Sequence, residues 1–321
     1  MPAPVDVSVV VVTWNSAPWI ARCLEAIEAG CAGLSWEAIV HDNASRDETA
    51  AIAEALLGAG RGKVVRSDRN DGFAGGVNRA VARARGLHVL LLNPDCELAP
   101  GCVETLVRRL AACDGAVAAA PLLLGEDGRP QREFQLRRFP TLRTFASELF
   151  LTERLFGSDS EIDRYRCRDL DVGVEQPVEQ PAGAALLLRR EIFDLLGPLD
   201  ERFAPAWFED VDYCKRIAEA GREILFVPSA RATHHGGASL VEMQSGEFVE
   251  IWYRNLWRYA EKWLTSDERE RLRWFIIAGM GMRAAAVIAG LPADAGRRQM
   301  LAAYGRVIRS AWVRWNDASR S

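Results

Sequence analysis

Five short stretches carry side chains whose types and spacing suit chemistry. In the first, Asn93-Pro94-Asp95 follows the apolar run from Leu87 to Leu92, so a carboxylate stands on a turn at the end of a buried strand. A carboxylate there can hold Mg2+ or Mn2+, which bridges a diphosphate. Equally, Asn93 and Asp95 can cap the turn into the helix read over 101–113. In the second stretch, HDNASRDET at 41–49, Asp42 and Asn43 offer donors and acceptors to a base or ribose edge, while Ser45 or Asp47 serves as a helix cap. In the third, NDGFAGGVN at 70–78, Gly72, Gly75 and Gly76 permit a close approach of backbone to a ligand, or a plain turn into a helix.

The fourth stretch, WFEDVDYCKR at 207–216, opens an amphipathic helix with Glu209, Asp210 and Asp212. Acids at that end suit the helix dipole. The same dipole favours an ionised Asp210, the state required of a general base that takes a proton from a hydroxyl. Trp207 and Phe208, just before, are rings that can stack on a sugar. The fifth, THHGGAS at 233–239, presents His234 and His235 after a strand. A neutral imidazole there can complete the coordination of a divalent ion, and a packed or solvent-facing histidine pair is the structural alternative.

The elements that must position these residues alternate regularly. The β-branched run at 7–14 reads as a strand buried on both faces, followed by a helix over 16–29. Strand 36–42 precedes helix 47–60, strand 63–68 precedes helix 75–86, and strand 87–92 precedes helix 101–113. Four strand-helix units with short joins predict a mostly parallel sheet flanked by helices, with ligands at the carboxyl ends of the strands. Residues 122–180 lose this regularity and read as a partly helical excursion. A strand and short helix over 183–191, a helix from Glu209 to Gly221 and a strand over 223–228 follow, and then helical segments at 247–264, 267–289 and 294–316.

Composition narrows the classes. A chain of 321 residues with 49% apolar content buries a substantial core, and a formal net charge of −4 gives no reason to expect nucleic acid as a partner. The seven cysteines form no CxxC pair and read as reduced, packed thiols of a cytosolic protein. No basic n-region precedes the first apolar run, so no signal peptide is expected, and Arg283 interrupts the apolar stretch 274–290, which is too short for a membrane span. The loop TWNSAPW after the first strand contains no glycine, so neither a dinucleotide fingerprint nor a Walker loop is present.

In order and spacing, the five stretches resemble glycosyltransferase family 2 on the GT-A fold, in its rhamnosyltransferase-like branch, over residues 7–240. The resemblance implies a GT-A catalytic domain at 1–240, with 122–180 on the acceptor side, and a C-terminal helical region at 241–321. It implies that Thr13, Trp14, Asn15, Asp42 and Asn43 line the nucleotide pocket, and that Phe73, Ala74, Gly75, Gly76 and Asn78 pack around nucleotide and donor sugar. The family's DxD metal motif falls on Asn93-Pro94-Asp95, so Asp95 would hold Mg2+ or Mn2+, with Asn93 in place of the first acid. The catalytic carboxylate falls on Asp210, with Trp207, Phe208 and Glu209 beside the sugar or acceptor, and His234 is the preferred second metal ligand with His235 as substitute.

What this implies is an inverting hexosyltransferase of cell-surface polysaccharide synthesis, with a dTDP- or UDP-sugar as donor, dTDP-rhamnose first. The acceptor is a saccharide or a lipid-linked saccharide. A nucleotidyltransferase and a noncatalytic nucleotide-sugar-binding module are the rival classes; the first wants a glycine- and arginine-rich phosphate loop that TWNSAPW does not supply. Beyond Glu247 lie six of the ten tryptophans among many arginines. This pattern fits a peripheral contact with the inner face of the cell membrane, packing on the catalytic domain, or a homodimer contact.

Overall fold

The computed structural model describes residues 5–236, 245–290 and 296–313. Two compact units emerge, Met1–Phe139 with Arg166–Ser239, and Pro140–Tyr165 with Leu240–Ser321. The chain begins β1 (Val5–Thr13), α1 (Ala17–Gly30), β2 (Trp36–Asp42), α2 (Thr49–Arg61), β3 (Gly62–Arg66), α3 (Gly72–Val81) and β4 (Gly86–Leu92). It continues through β5 (Cys96–Leu98), α4 (Cys102–Ala111), β6 (Ala116–Leu124), α5 (Arg132–Gln135) and β7 (Leu136–Arg137). Three helices of the second unit, α6 (Leu142–Phe150), α7 (Thr152–Phe156) and α8 (Ser160–Tyr165), come next. The first unit then resumes with β8 (Gln176–Val178), β9 (Gln180–Pro181), β10 (Ala185–Arg189), α9 (Glu191–Leu196), a 3-10 turn, α10 (Glu209–Glu219) and β11 (Glu223–His234). Helices α11 (Ser245–Trp263), α12 (Ser266–Ile288) and α13 (Arg297–Trp312) follow.

The main sheet has the order β3-β2-β1-β4-β10-β6-β11-β5, with β8 also paired to β11. Strands β3, β2, β1 and β4 are parallel, β6 and β11 are parallel to each other, and β10 runs antiparallel between β4 and β6. The valine run of β1 is apolar at every position because both faces are covered. Val7, Val9 and Val11 pack with Ile20 and Ile27 of α1 and Leu106 of α4. Val10 and Val12 face the other way, with Val77 of α3 and Ile217 of α10. The mostly parallel sheet flanked by helices that the alternation predicts is therefore present.

Two differences from the sequence reading matter for the site. Strand β6 is nine residues long and lies partly inside the stretch read as irregular. Its alanines and Pro121 have weak strand preference, and burial between β10 and β11 decides instead. Strand β11 runs on to His234 rather than stopping near Pro228, because its register against β6 shifts between Val227 and Arg231 and pairing then resumes. His234 thus ends the strand, and His235 follows it directly.

In the second unit, Thr141 and Thr144 form a reciprocal capping box at the start of α6, and Thr265 with Glu268 forms another at α12. Arg283, the charge inside the apolar stretch of α12, donates to the carbonyls of Leu149 (2.6 Å) and Glu148 (3.0 Å) at the last turn of α6. Its cation therefore satisfies orphan carbonyls at a helix C-terminus. Trp257 is buried, whereas Trp274 and Trp312 are exposed and meet edge to face at 5.9 Å. Trp315 lies outside the described residues, among which no helix is long and apolar enough to cross a membrane.

Gly76 marks where α3 presses on the sheet. A Cβ there would stand 2.7 Å from Val12 Cγ1 and 3.0 Å from the His41 ring. Overpacking of this kind costs about 1–3 kcal/mol. Gly76→Val should accordingly lower the urea midpoint of unfolding by that energy at unchanged slope, and a variant as stable as the wild type would show that the helix is not in contact there.

Candidate active site

The carboxyl ends of β1, β2, β4, β6 and β11 and the start of β10 lie along one edge of the sheet, as their pairings require. On the far side of β6, the short strand β5 pairs antiparallel with the end of β11, Glu97 opposite Thr233 and Cys96 opposite His234. The ladder continues as the His235 N–H donates to the Asp95 carbonyl at 3.0 Å. Asp95 and His234, 139 positions apart by number, are thereby side by side, with Oδ1 3.6 Å from Nε2 and both residues buried. The turn before them is closed by Cys96 N–H to Asn93 O at 3.1 Å. Neither Asn93 nor Asp95 caps a helix, because α4 starts after Gly101.

The His234 ring is held by Gln131 and Phe134. Gln131 accepts at 3.0 Å from the side of Nδ1 and its amide nitrogen donates to the His234 carbonyl at 2.7 Å. The Phe134 ring stacks on it at 5.0 Å. Burial lowers the imidazole pKa and so favours the neutral ring, against the opposite pull of the Asp95 charge. A neutral imidazole nitrogen and a carboxylate oxygen facing one point fit a divalent cation, since ligands about 2.1 Å from one octahedral ion stand roughly 3 Å apart. Among the described residues no group of three or more His, Cys, Asp or Glu could hold a metal, so this pair would leave most positions to ligand oxygens. His235 is no substitute ligand. Its nitrogens meet Glu97 at 2.6 Å and Glu126 at 2.7 Å, and its ring stacks on Trp19.

Asp210 approaches the same strand end from α10. A Cβ on Gly183 would lie 3.1 Å from Asp210 Oδ2, so any larger residue there would push this carboxylate by a few tenths of an ångström from its place against the backbone. The next residue, Ala184, accepts from the Asn93 N–H at 2.8 Å, which extends the β4·β10 ladder beyond both strands. One peptide unit thus separates the residue that Asp210 touches from the carbonyl that anchors the Asn93-Pro94-Asp95 turn. The dipole expectation for Asp210 needs correction: burial raises its pKa, although the N–H groups of Val211, Asp210 and Gly183 oppose the shift. Glu209 is pushed well above the usual glutamate range by burial and by the charge of Asp210, and its Oε2 has no hydrogen-bond partner among the described residues. Trp207 and Phe208 both have φ of 75°, a left-handed backbone that is costly for aromatic residues and aims the start of α10. Phe208 is buried, so its ring is packed inside and not offered to a sugar, while Trp207 is partly exposed.

The residues expected around a nucleotide are mostly pinned to one another. Asp42 accepts from Thr13 Oγ1 (2.9 Å) and from the Ser45 N–H (3.1 Å) and hydroxyl (2.5 Å). Asn43 donates to the Gly72 carbonyl at 3.1 Å and accepts from Asp71 N–H at 3.3 Å. Asn15, at φ 48°, accepts from Arg46 N–H at 2.8 Å, and its neighbour Trp14 is partly exposed. Ala74 and Gly76 are buried, Phe73 packs on the core, and a Cβ on Gly75 would meet Arg79. Asn78 exchanges hydrogen bonds with both backbone groups of Leu199 (2.9 Å each) and with Glu201 (3.1 Å), so its amide locks the 199–205 loop. Gly72, at φ 77°, lies where a Cβ would be 2.9 Å from Pro205 O. Gly237, Ala238 and Ser239 of the THHGGAS stretch lie outside the described residues. Gln131 and Gly183 escaped the sequence reading, because a lone glutamine or glycine carries no spacing signal.

The family model described as glycosyl transferase family 2 matches residues 8–167. An N-acetylglucosaminyl-diphospho-decaprenol L-rhamnosyltransferase of Mycobacterium tuberculosis is 25% identical over 309 residues, covering 93% of this chain and 98% of its own. The succinoglycan biosynthesis protein ExoO of Rhizobium meliloti is 33% identical over 160 residues, 47% of this chain and 45% of its own. Among solved structures, residues 1–349 of TarS from S. aureus align with a TM-score of 0.51 at 15% identity, covering 98% of this chain and 93% of that one. GalNAc-T7, solved with UDP, GalNAc and Mn2+, aligns at 0.53 and 18% identity, covering 91% and 59%. These two likenesses are of fold, and the fold is GT-A. With the motifs in order along one sheet edge and a rhamnosyltransferase similar over nearly its whole length, the chain belongs to glycosyltransferase family 2, in its rhamnosyltransferase-like branch.

Proposed function

We propose that this protein transfers a hexose, with dTDP-rhamnose the first donor to try, from a nucleoside diphosphate to a saccharide or lipid-linked saccharide in cell-surface polysaccharide assembly, inverting the anomeric carbon. The observation that carries the reading is the junction where the Asn93–Ala184 hydrogen bond ties the turn of Asp95 to Gly183, against which Asp210 rests. The relative whose name gives L-rhamnose and a diphospho-decaprenol acceptor supports the donor and acceptor classes. The fold shared with GalNAc-T7, solved with UDP and Mn2+, supports a nucleotide and a divalent cation.

Asp95 and His234 would hold the cation, Mg2+ or Mn2+. When bound, such an ion neutralises the departing diphosphate. Asp210 takes the proton of the acceptor hydroxyl as that oxygen attacks the anomeric carbon on the face opposite the leaving group. Its raised pKa suits that task, because a base works best when its pKa approaches the operating pH. Burial and the neighbouring Asp210 charge push the Glu209 pKa up and so favour its neutral form, which limits the negative charge beside the base. Asn15, Asp42, Asn43 and Asn78 shape the nucleotide side by locking the loops, and Thr13, Trp14 and the backbone of residues 73–76 line it.

The setting we propose is the cytoplasmic face of the membrane. Trp274 and Trp312 are exposed on the second unit, as are Arg298 and Arg309 of α13, a pairing of rings and cations suited to anionic headgroups. Cosedimentation with anionic vesicles should carry the protein to the pellet, and less so for Trp274→Ala with Trp312→Ala. A protein that stays in the supernatant, as a monomer or as a dimer joined by these helices, would contradict the contact.

Asp210→Asn should lower kcat by about 10²–10⁴ while the donor still binds normally by calorimetry. Retention of more than about a tenth of turnover would remove the base assignment. Protonation inactivates the base, so the wild-type rate should fall on acidification with a midpoint above 3.8, the ordinary aspartate value. A limb at or below that value would contradict the burial described. Asp95→Ala and His234→Ala should each weaken donor binding in the presence of Mn2+ and leave the metal-free affinity unchanged; equal affinities with Mn2+ would remove the cation from the site.

A further inference from the structure

Gln131 stands at the end of the turn that follows β6, where its N–H donates to the Leu123 carbonyl at 3.0 Å and Leu124 bridges to Pro130. Its side chain makes two bonds to one residue: the amide nitrogen to the His234 carbonyl at 2.7 Å and Oε1 to His234 Nδ1 at 3.0 Å. The backbone carbonyl can only accept, so the NH2 of Gln131 must face it. That leaves Oε1, which can also only accept, against the imidazole. The bond forms only if Nδ1 carries the proton. A neutral ring then has its lone pair on Nε2, which points to Asp95 Oδ1 at a 3.6 Å separation, beyond a hydrogen bond.

The strand ladder fixes the other degrees of freedom. His234 is paired with Cys96, and Phe134, which stacks on the ring at an interplanar angle of 16°, is tied back to Gln131 by its N–H at 2.9 Å. Rotation of the ring would break the Gln131 bond and the stack together. We propose that Gln131 is a positioning residue that sets His234 as the Nδ1–H tautomer and so presents Nε2 as a ligand, jointly with Asp95, for a divalent cation. This rests on the cation reading given above and adds to it the residue that makes the imidazole competent. Outer-sphere partners of this kind typically change metal affinity by about 10–100-fold.

The test uses the full chain, labelled with 15N-histidine, as wild type, Gln131→Leu and Gln131→Glu, with the His234 signal assigned by its loss in His234→Ala. Two-bond proton–nitrogen correlation at alkaline pH reads the tautomer without any metal. Wild type should be Nδ1–H. Gln131→Leu should shift the population to Nε2–H, whereas Gln131→Glu, which keeps an acceptor against Nδ1, should hold Nδ1–H. Mn2+ titration with dTDP, followed by electron paramagnetic resonance, should show affinity down about 10–100-fold in Gln131→Leu and largely rescued in Gln131→Glu. An Nε2–H wild type, or a Gln131→Leu protein with unchanged tautomer and Mn2+ affinity, overturns the role of Gln131 and leaves the cation reading standing. A wild type that is Nδ1–H yet takes up no Mn2+ overturns the cation reading itself, and the purpose of Gln131 with it.

Discussion

Strand β10 runs against its neighbours, and the site depends on that reversal. It enters the sheet between β4 and β6 from the edge where the parallel strands end, so its first residues meet the last residues of β4. The bond from Asn93 N–H to Ala184 O extends that pairing by one step. Had β10 been parallel, Gly183 would lie at the opposite edge, and Asp210 with it. The chain therefore spends one antiparallel strand to bring a carboxylate from α10 to a turn more than a hundred positions earlier.

A second short ladder does the same on the other flank. Three residues of β5 against the end of β11 fix Asp95 beside His234. Strand pairings are stiff in register, because a slip of one residue reverses every side chain. Both candidate ligands and the candidate base thus inherit their positions from backbone hydrogen bonds. The loops between are locked by short polar side chains: Asp42 by Thr13 and Ser45, Asn43 by the start of α3, and Asn78 by Leu199. Left-handed conformations at Asn15, Ala44, Trp207 and Phe208 cluster in these connections, where surrounding contacts hold what the residues alone would not adopt.

Much of this was legible in the residues. The valine run of β1 and the alternation through α4 dictate the parallel half of the sheet, since apolar runs of that length bury on both faces. Asp95 was legible as a carboxylate at a strand end, and Glu209 and Asp210 as acids at a helix start. Less visible was anything set by tertiary contact. Strand β6 is written in alanine and leucine around a proline, which by itself says little. The reach of β11 to His234 hides behind Pro228 and the register shift that follows Val227. Residues 140–165 group with the C-terminal helices rather than with the sheet, a placement set by contacts such as that of Arg283 with the end of α6. The side-chain partners of the two histidines differ completely, one ring facing Asp95 and Gln131, the other two glutamates, and no local pattern separates adjacent identical residues.

Where a cation and a nucleotide settle on the sheet edge tests the site most directly. Crystals grown with dTDP and Mn2+, measured at the manganese absorption edge, locate the ion without any assumption about its ligands. The expected result is one anomalous peak bonded to Asp95 and to His234 Nε2 and to diphosphate oxygens, with the Asp210 carboxylate on the side away from the diphosphate. A nucleotide seated at another edge of the sheet, or a manganese bound with neither Asp95 nor His234, would contradict it.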